Sequence, residues 1–336
     1  MRVLVTGTAG FIGFHVAKKL VAAGHEVIGI DGITAYYDVA LKRRRHAILL
    51  QSPGFSAHEL MLEDEAALGE VYEAVKPEVV IHLAAQAGVR YSLANPRAYV
   101  ETNLVGTFNL MECVRRAPPR HFLIASTSSV YGGNTKMPFV ESDPSDHPLT
   151  LYAASKKATE VMAHSYAHLW EIPTTAFRFF TVYGPWGRPD MALFKFTKGI
   201  IEGTPIDIYN NGDMARDFTY IDDLAQAIVL LADAVPQDPR AFPEGAAELG
   251  LSSLAPYRVV NIGNGAPVRL LDFIEAIEQA IGRPAIRNYM PMQPGDVPAT
   301  FADTSLLERI TGFRPTTPVA VGVQRFVAWY RDYFNV

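Results

Sequence analysis

The sequence predicts an α/β fold, a doubly wound parallel sheet with a smaller substrate-binding domain interleaved into it. Three observations carry this. Short apolar runs at residues 3–6, 26–30 and 79–83 alternate with helical patterns, and continuous apolar strands suit a parallel sheet covered on both faces. The first run breaks into a glycine turn that opens a helix. A late apolar run at residues 259–262 has the character of a strand returning to the sheet.

The composition agrees with a well-packed globular chain: 336 residues, 49% hydrophobic and 19% charged. A net charge of −5 gives no general attraction to nucleic acid or an anionic membrane, so an anionic substrate must be held by a few placed cations. The single cysteine, Cys113, excludes an intramolecular disulfide and reads as a small core residue. Residues 2–5 enter a strand directly, without the features of a signal peptide, and no run reaches the ~20 apolar residues of a membrane span. A cytoplasmic location is expected.

Taken in order, residues 3–6 form a strand that turns at Gly7, Gly10 and Gly13 into a helix running through Leu20 and stopping at Gly24. Glycines there let the backbone, with Phe11 and Ile12, approach a pyrophosphate at the helix N-terminus. This is a Rossmann-type opening, with the first gap one residue wider than in the common fingerprint. The second strand ends on Asp31, where an acid binds ribose hydroxyls and repels a 2′-phosphate, which favours NAD over NADP. The basic run Lys42 to Arg45 is expected to be a solvated helix face. Residues 55–62 carry a third strand and residues 65–75 a helix.

The strand at residues 79–83 ends in small residues, Ala84 and Ala85 after Leu83, which leave room for a cofactor. His82 is expected to pack or satisfy a hydrogen bond, and no residue set has metal-ligand spacing. A helix over residues 99–116 precedes the strand 121–125 and the hydroxyl cluster Ser126, Thr127, Ser128 and Ser129. Next comes Tyr152-Ala153-Ala154-Ser155-Lys156. At i and i+4 of a helix the Lys156 ammonium shares a face with the Tyr152 phenol, and a cation there lowers a phenol pKa from its usual ~10, making Tyr152 a base.

The glycine loop, Asp31, the hydroxyl cluster and Tyr152/Lys156, in this order, resemble the extended short-chain dehydrogenase/reductase family. More narrowly, residues 86–90, 178–185 and 188–191 resemble the UDP-glucuronate 4-epimerases. The resemblance spans essentially the whole chain. It implies that Thr127 bonds the reacting sugar oxygen, that Tyr152 is the base, and that Lys156 binds the nicotinamide ribose and tunes Tyr152. It places Asn103 and the backbone around Leu62 near NAD. It makes Arg216 and Asp296 ligands of the diphosphate and uridine ribose, with Gln86 and Arg90 also on the substrate. Two departures are Met61, where relatives carry an adenine-reading Asp, and Gln293, where galactose-type epimerases often carry Arg.

Within this family, sugar dehydratases carry an Asp-Glu pair where Ser128 and Ser129 stand, and UDP-glucuronate decarboxylases carry Glu in place of Ser129. The resemblance therefore implies reversible oxidation at C4 with inversion, NAD being regenerated. For a uronate the 4-keto intermediate is a β-keto acid, and Ser128, Ser129 and Thr181, assisted by Arg188, would restrain its carboxylate. The alternatives are a UDP-glucose or N-acetylhexosamine 4-epimerase, then a decarboxylase or a non-catalytic NAD-sensing regulator.

Residues 1–178, with returning elements from 219–263, are expected to form the NAD-binding domain, and residues 179–218 and 264–336 the nucleotide-sugar domain. Residues 206–209 read as a strand with a turn at Asn211-Gly212, and Asp222 and Asp223 as helix-capping carboxylates. Residues 236–257 read as an exposed insertion without chemistry. The aromatics Phe326, Trp329, Tyr330 and Tyr333 of the last helix read as core packing. A homodimer is expected through helices near residues 99–116 and 152–170.

Overall fold

Strands with few polar side chains cannot stand alone in water, and here seven of them are stacked into one sheet. A computed structural model describes residues 1–241 and 243–336. The chain runs β1 (Arg2–Thr6), α1 (Phe11–Ala22), β2 (Glu26–Asp31), α2 (Val39–Leu49), β3 (Phe55–Glu59), α3 (Glu65–Val75) and β4 (Val79–His82). Two single turns, α4 (Tyr91–Ala94) and α5 (Pro96–Tyr99), pass through a π-helical stretch, Val100–Gly106, into α6 (Thr107–Arg116). The middle of the chain follows with β5 (His121–Thr127), α7 (Leu151–Trp170), β6 (Thr174–Phe179) and β7 (Thr181–Tyr183).

The remainder comprises α8 (Ala192–Glu202), β8 (Ile206–Ile208), β9 (Ala215–Tyr220), α9 (Ile221–Asp233), α10 (Pro243–Ala246), β10 (Tyr257–Ile262), β11 (Pro267–Arg269), α11 (Leu270–Ile281), β12 (Arg287–Tyr289), α12 (Ser305–Thr311) and α13 (Val319–Phe334). The large sheet has the order β10-β6-β5-β4-β1-β2-β3, parallel throughout. The order reverses beside β1, and the crevice at the carboxyl ends of β1 and β4 is where such sheets take ligands. Two small sheets, β11-β9-β7 and β12-β8, stand beyond those ends.

Both faces of the large sheet are dry. Val3, Val5, Val79, Ile81 and Leu123 face one apolar cluster with α1 and α9, while Leu4, Val80, Phe122 and Ile124 face another with α3, α6 and α7. The returning strand is present: β10 pairs with β6 from Tyr257↔Thr174 to Ile262↔Phe179. The aromatics of α13 pack as expected, Trp329 with Trp186 at 5.3 Å and Phe326 with Phe194 at 6.0 Å between centroids. No helix among the described residues is long and apolar enough to cross a membrane.

Several expectations are corrected. Lys42 and Arg45 are buried, not solvated. Arg45 donates to Ala9 O at 3.0 Å, to Tyr37 Oη at 2.8 Å and to Trp186 O at 2.5 Å, so it stitches α2 to the glycine loop; its planar fork reaches several acceptors from one buried stem. Asp222 and Asp223 stand in the first turn of α9 as expected, but without a side-chain cap bond: Asp222 lies 3.6 Å from His15, and Asp223 accepts the Thr316 and Thr317 N–H groups, so they also tie α9 to neighbouring segments. The third strand ends at Glu59, before Leu60. The strand at residues 206–208 lies parallel to β12, and Asn210 and Asn211 both take positive φ in the turn after it. Within 236–257, Ala246, Leu251 and Ala255 are buried, so that segment is partly docked; Phe242 lies outside the described residues.

Candidate active site

The turn after β1 brings three glycines into a cradle. A Cβ on Gly13 would lie 2.1 Å from Gly7 O, and one on Gly7 would lie 2.9 Å from Ala84 N; Gly7 also has φ +82°, a conformation that favours glycine. The first helical bond of α1 is Phe14 N to Gly10 O at 3.1 Å, so the N–H groups of Phe11, Ile12 and Gly13 have no partner within the helix. They border a cavity of about 890 Å³ over the carboxyl ends of the strands. Asp31 lines it at the end of β2, its oxygens fixed by Ile33 N at 2.7 Å and Ala9 N at 2.9 Å.

Every candidate residue except Asn103 lines this one cavity: the glycine loop, Asp31, Leu62, the Leu83 to Gln86 stretch, Arg90, Thr127, Ser128, Ser129, Tyr152, Lys156, Thr181, Arg188, Arg216 and Asp296. Asn103 is fully buried in the π-helical stretch. Its Oδ1 accepts the Gln86 N–H at 2.8 Å, while Nδ2 donates to Gln86 O at 3.1 Å and Ser155 Oγ at 2.9 Å. It therefore clamps the cavity loop to α7. His82 packs as expected, between Thr6 Oγ1 at 2.8 Å and Thr107 Oγ1 at 2.9 Å.

At the centre, α7 starts on the Thr150 side chain, which accepts Ala153 N, and puts Tyr152 and Lys156 on the cavity face. Thr127 ends β5, accepts Ser129 N and donates to Ser129 Oγ, both at 3.2 Å. Burial works against ionisation of the Tyr152 phenol. Burial raises its pKa, opposed by the Thr127 hydroxyl and the Arg188 charge. Burial also draws the Lys156 ammonium down to about 8, against the pull of Glu160, which weakens it as a tuning cation. Lys156 Nζ makes no hydrogen bond to the described residues, which leaves its donors for a ligand.

The charged groups of the far wall are partly paired. Arg188 binds Asp190 through Nε at 3.0 Å and Nη2, and Asp190 also accepts Tyr36 Oη at 3.1 Å, so the Arg188 charge is largely balanced within the protein. Arg90 binds Asp296 at 2.9 Å and lies over the Tyr209 ring at 4.3 Å. Arg216 gives Nη1 to the Ala215 and Pro298 carbonyls and has no carboxylate hydrogen bond among the described residues; burial lowers its pKa, opposed by Asp296. Sequence reasoning passed over Asp190, Tyr36 and Tyr209. Asp190 was within reach, two residues after Arg188, but the other two come from loops that only the fold brings to the cavity.

A cradle of glycine backbone, free helix-start N–H groups, an acid at the end of β2 and a lysine without a hydrogen bond among the described residues suit a dinucleotide site that faces a hydroxyl-lined pocket. The family described as NAD dependent epimerase/dehydratase matches residues 3–243. The chain belongs to this family. As a family member it uses NAD, and the residues present fit that cofactor: the cradle would hold its pyrophosphate, Asp31 its adenosine ribose and Lys156 its nicotinamide ribose. The chain is 62% identical over 336 residues, all of this chain and 98% of the relative, to a probable UDP-glucuronate 4-epimerase of Rhizobium meliloti. It is 45% identical to UDP-glucuronate 4-epimerase 1 of Arabidopsis thaliana across 99% of this chain and 77% of that one. The UDP-glucuronic acid 4-epimerase of Bacillus cereus, crystallised with UDP-glucuronic acid and NAD, superposes with a TM-score of 0.87 at 30% identity over 99% of this chain and 100% of that chain.

Proposed function

We propose that this protein interconverts UDP-glucuronate and UDP-galacturonate by inversion at C4. The observation that carries the reading is the set of hydroxyls at Thr127, Ser128, Ser129 and Thr181 facing Tyr152 in one cavity, with no carboxylic acid at positions 128 and 129. Dehydration would need an acid and a base there. NAD, when bound, supplies hydride acceptance and return at C4. Tyr152 takes the proton of the 4-hydroxyl and later returns it, while Thr127 holds the same oxygen. Burial raises the pKa of the phenol against the Thr127 hydroxyl and the Arg188 charge, so ionisation depends on positive charge close to its oxygen. The 4-keto sugar turns over between the two hydride transfers.

The uronate carboxylate meets Ser128, Ser129 and Thr181. Each neutral bond contributes about 1 kcal/mol net, which restrains the C5–carboxylate bond from aligning with the ketone without trapping the intermediate. Arg216 serves the diphosphate, with Gln86, and the Arg90–Asp296 pair serves the uridine end. Because Asp190 balances Arg188, the arginine orients the carboxylate more than it attracts it. We assign residues 1–178 with 219–263 to NAD and residues 179–218 with 264–336 to the nucleotide-sugar; cytoplasmic supply of both ligands suits this reaction. Incubation with UDP-glucuronate, product separation and CO2 detection test the reading. UDP-galacturonate without UDP-pentose is expected from the wild type and added UDP-pentose from Thr181→Ala; turnover of UDP-glucose alone would replace the reading with a neutral-sugar epimerase.

A homodimer through α6 and α7 accompanies this reading. Phe108, Val161 and Leu169 are 44%, 56% and 63% exposed on two helices joined by a Tyr166–Glu112 bond of 2.6 Å. Exposed apolar side chains grouped on adjoining helices mark an interface. Sedimentation should give a dimer for the wild type and a monomer for Val161→Glu.

A further inference from the structure

We propose that Glu160, locked between Arg178 and Ser126, is a positioning residue for the C4 chemistry. It fixes the helix that carries Tyr152 against the strand end that carries Thr127, and it supplies the counter-charge for Lys156. The inference rests on the proposed 4-epimerase activity, and it concerns a residue outside the cavity wall.

Tyr152, Lys156 and Glu160 stand at i, i+4 and i+8 of α7, so they form one stripe along the helix. Glu160 is 2% exposed. Its Oε1 accepts Ser126 Oγ at 2.5 Å and Arg178 Nε at 2.9 Å, and Oε2 accepts Arg178 Nη2 at 2.8 Å. Lys157 approaches Oε2 at 3.4 Å from the exposed side. Ser126 and Arg178 face each other in the β5/β6 ladder. The carboxylate therefore bridges both strands from α7, one residue before Thr127. Arg178 is held in turn by Ser145 Oγ at 3.5 Å, by Glu141 O at 3.3 Å and over the Tyr131 ring at 4.7 Å.

Stability alone does not call for this arrangement, because a buried ion pair gains little over an apolar pair of the same shape. Its placement suits alignment instead, since a shift of about 1 Å between a base and its partner hydroxyl can cost on the order of a hundredfold in rate. Among the described residues, the Lys156 charge reaches His82 of β4, which lies between two threonine hydroxyls; Tyr152 shares the helix of Lys156, and the Tyr99 ring of α5 lies 6.0 Å from that of Tyr152. Glu160 is the group among them that favours the ammonium.

The test follows Lys156 directly by lysine 15Nζ NMR in the NAD-loaded enzyme, with Lys156→Met assigning the signal, beside steady-state kinetics on UDP-glucuronate. In Glu160→Gln the Lys156 titration should move about one pH unit toward acid, and the alkaline limb of kcat should move with it. Ser126→Ala, which leaves no buried charge unpaired, should lower kcat about tenfold with KM within about twofold and the pH profile in place. An unmoved Lys156 signal in Glu160→Gln overturns the counter-charge, whether or not the enzyme turns over. An unchanged kcat in Ser126→Ala, with only a lower Tm, overturns the alignment. Absent turnover by the wild type on UDP-glucuronate defeats the proposed substrate instead, and the NMR titration still reads Glu160. Should Glu160→Gln fail to fold, Glu160→Gln/Arg178→Met removes both charges; the Lys156 titration should then move toward acid by less than about one unit, because a cation is lost with the carboxylate, and an unmoved signal there overturns the counter-charge.

Discussion

Tyr152 is half-buried beside Thr127, and burial holds its phenol up against the opposing pull of the Thr127 hydroxyl and the Arg188 charge. Removing its oxygen leaves the pocket shape intact, so Tyr152→Phe should lower kcat at least about a thousandfold, as expected for loss of general-base transfer together with a hydrogen bond made to the reacting oxygen. Calorimetry should find UDP-sugar affinity within about threefold of the wild type. At this scale the sequence was most legible where chemistry depends on spacing. The Tyr152/Lys156 pair, the hydroxyls after β5 and Asp31 all reach the cavity because helix period and strand ends place them there. The polarity of the surroundings was not legible. Whether Lys156 tunes Tyr152 depends on burial, and whether Arg188 is a free cation depends on Asp190 and Tyr36, which spacing does not report.

The element that depends most on one residue type is the start of α1. A methyl at Gly13 would overlap Gly7 O at 2.1 Å, and backbone cannot move aside as a flexible side chain can. Gly13→Ala should widen the loop, weaken NAD binding at least about tenfold and cost about 2 kcal/mol or more of stability, read by cofactor titration and urea unfolding. Glycine spacing made this element legible in advance. The same reasoning failed for α2, where a run of four basic residues has the look of a solvated face. Its Arg45 instead satisfies carbonyls of two other loops, a role fixed by long-range contacts. Likewise the helical pattern around residue 103 gives no sign of a π-helical stretch, yet that geometry is what turns Asn103 toward Gln86.

For the molecule as a whole, two histidines link fold and acidity. His82 and His121 sit in the sheet core with pKa values pressed down to about 3 by burial. Between that value and their ordinary one near 6.5, the unfolded chain binds protons that the folded chain refuses. Stability should therefore be intact above about pH 6.5 and fall on acidification, each histidine contributing about 1.4 kcal/mol per pH unit. Urea unfolding at pH 7, 6 and 5 should show this, and equal midpoints at pH 6 and 5 would contradict it. The alternation of apolar runs made the sheet legible as a whole, including the late strand. Strand order was not legible, because pairing across the chain leaves no local signature. That late strand has a further consequence for synthesis. β6 meets its outer neighbour only when Tyr257–Ile262 has left the ribosome, so the sheet stays one strand short while β7, α8, β8, β9 and α9 emerge. The chain thus cannot finish its first half before most of its second half exists, and the large sheet and the small sheets beyond it mature in a single late event rather than in turn.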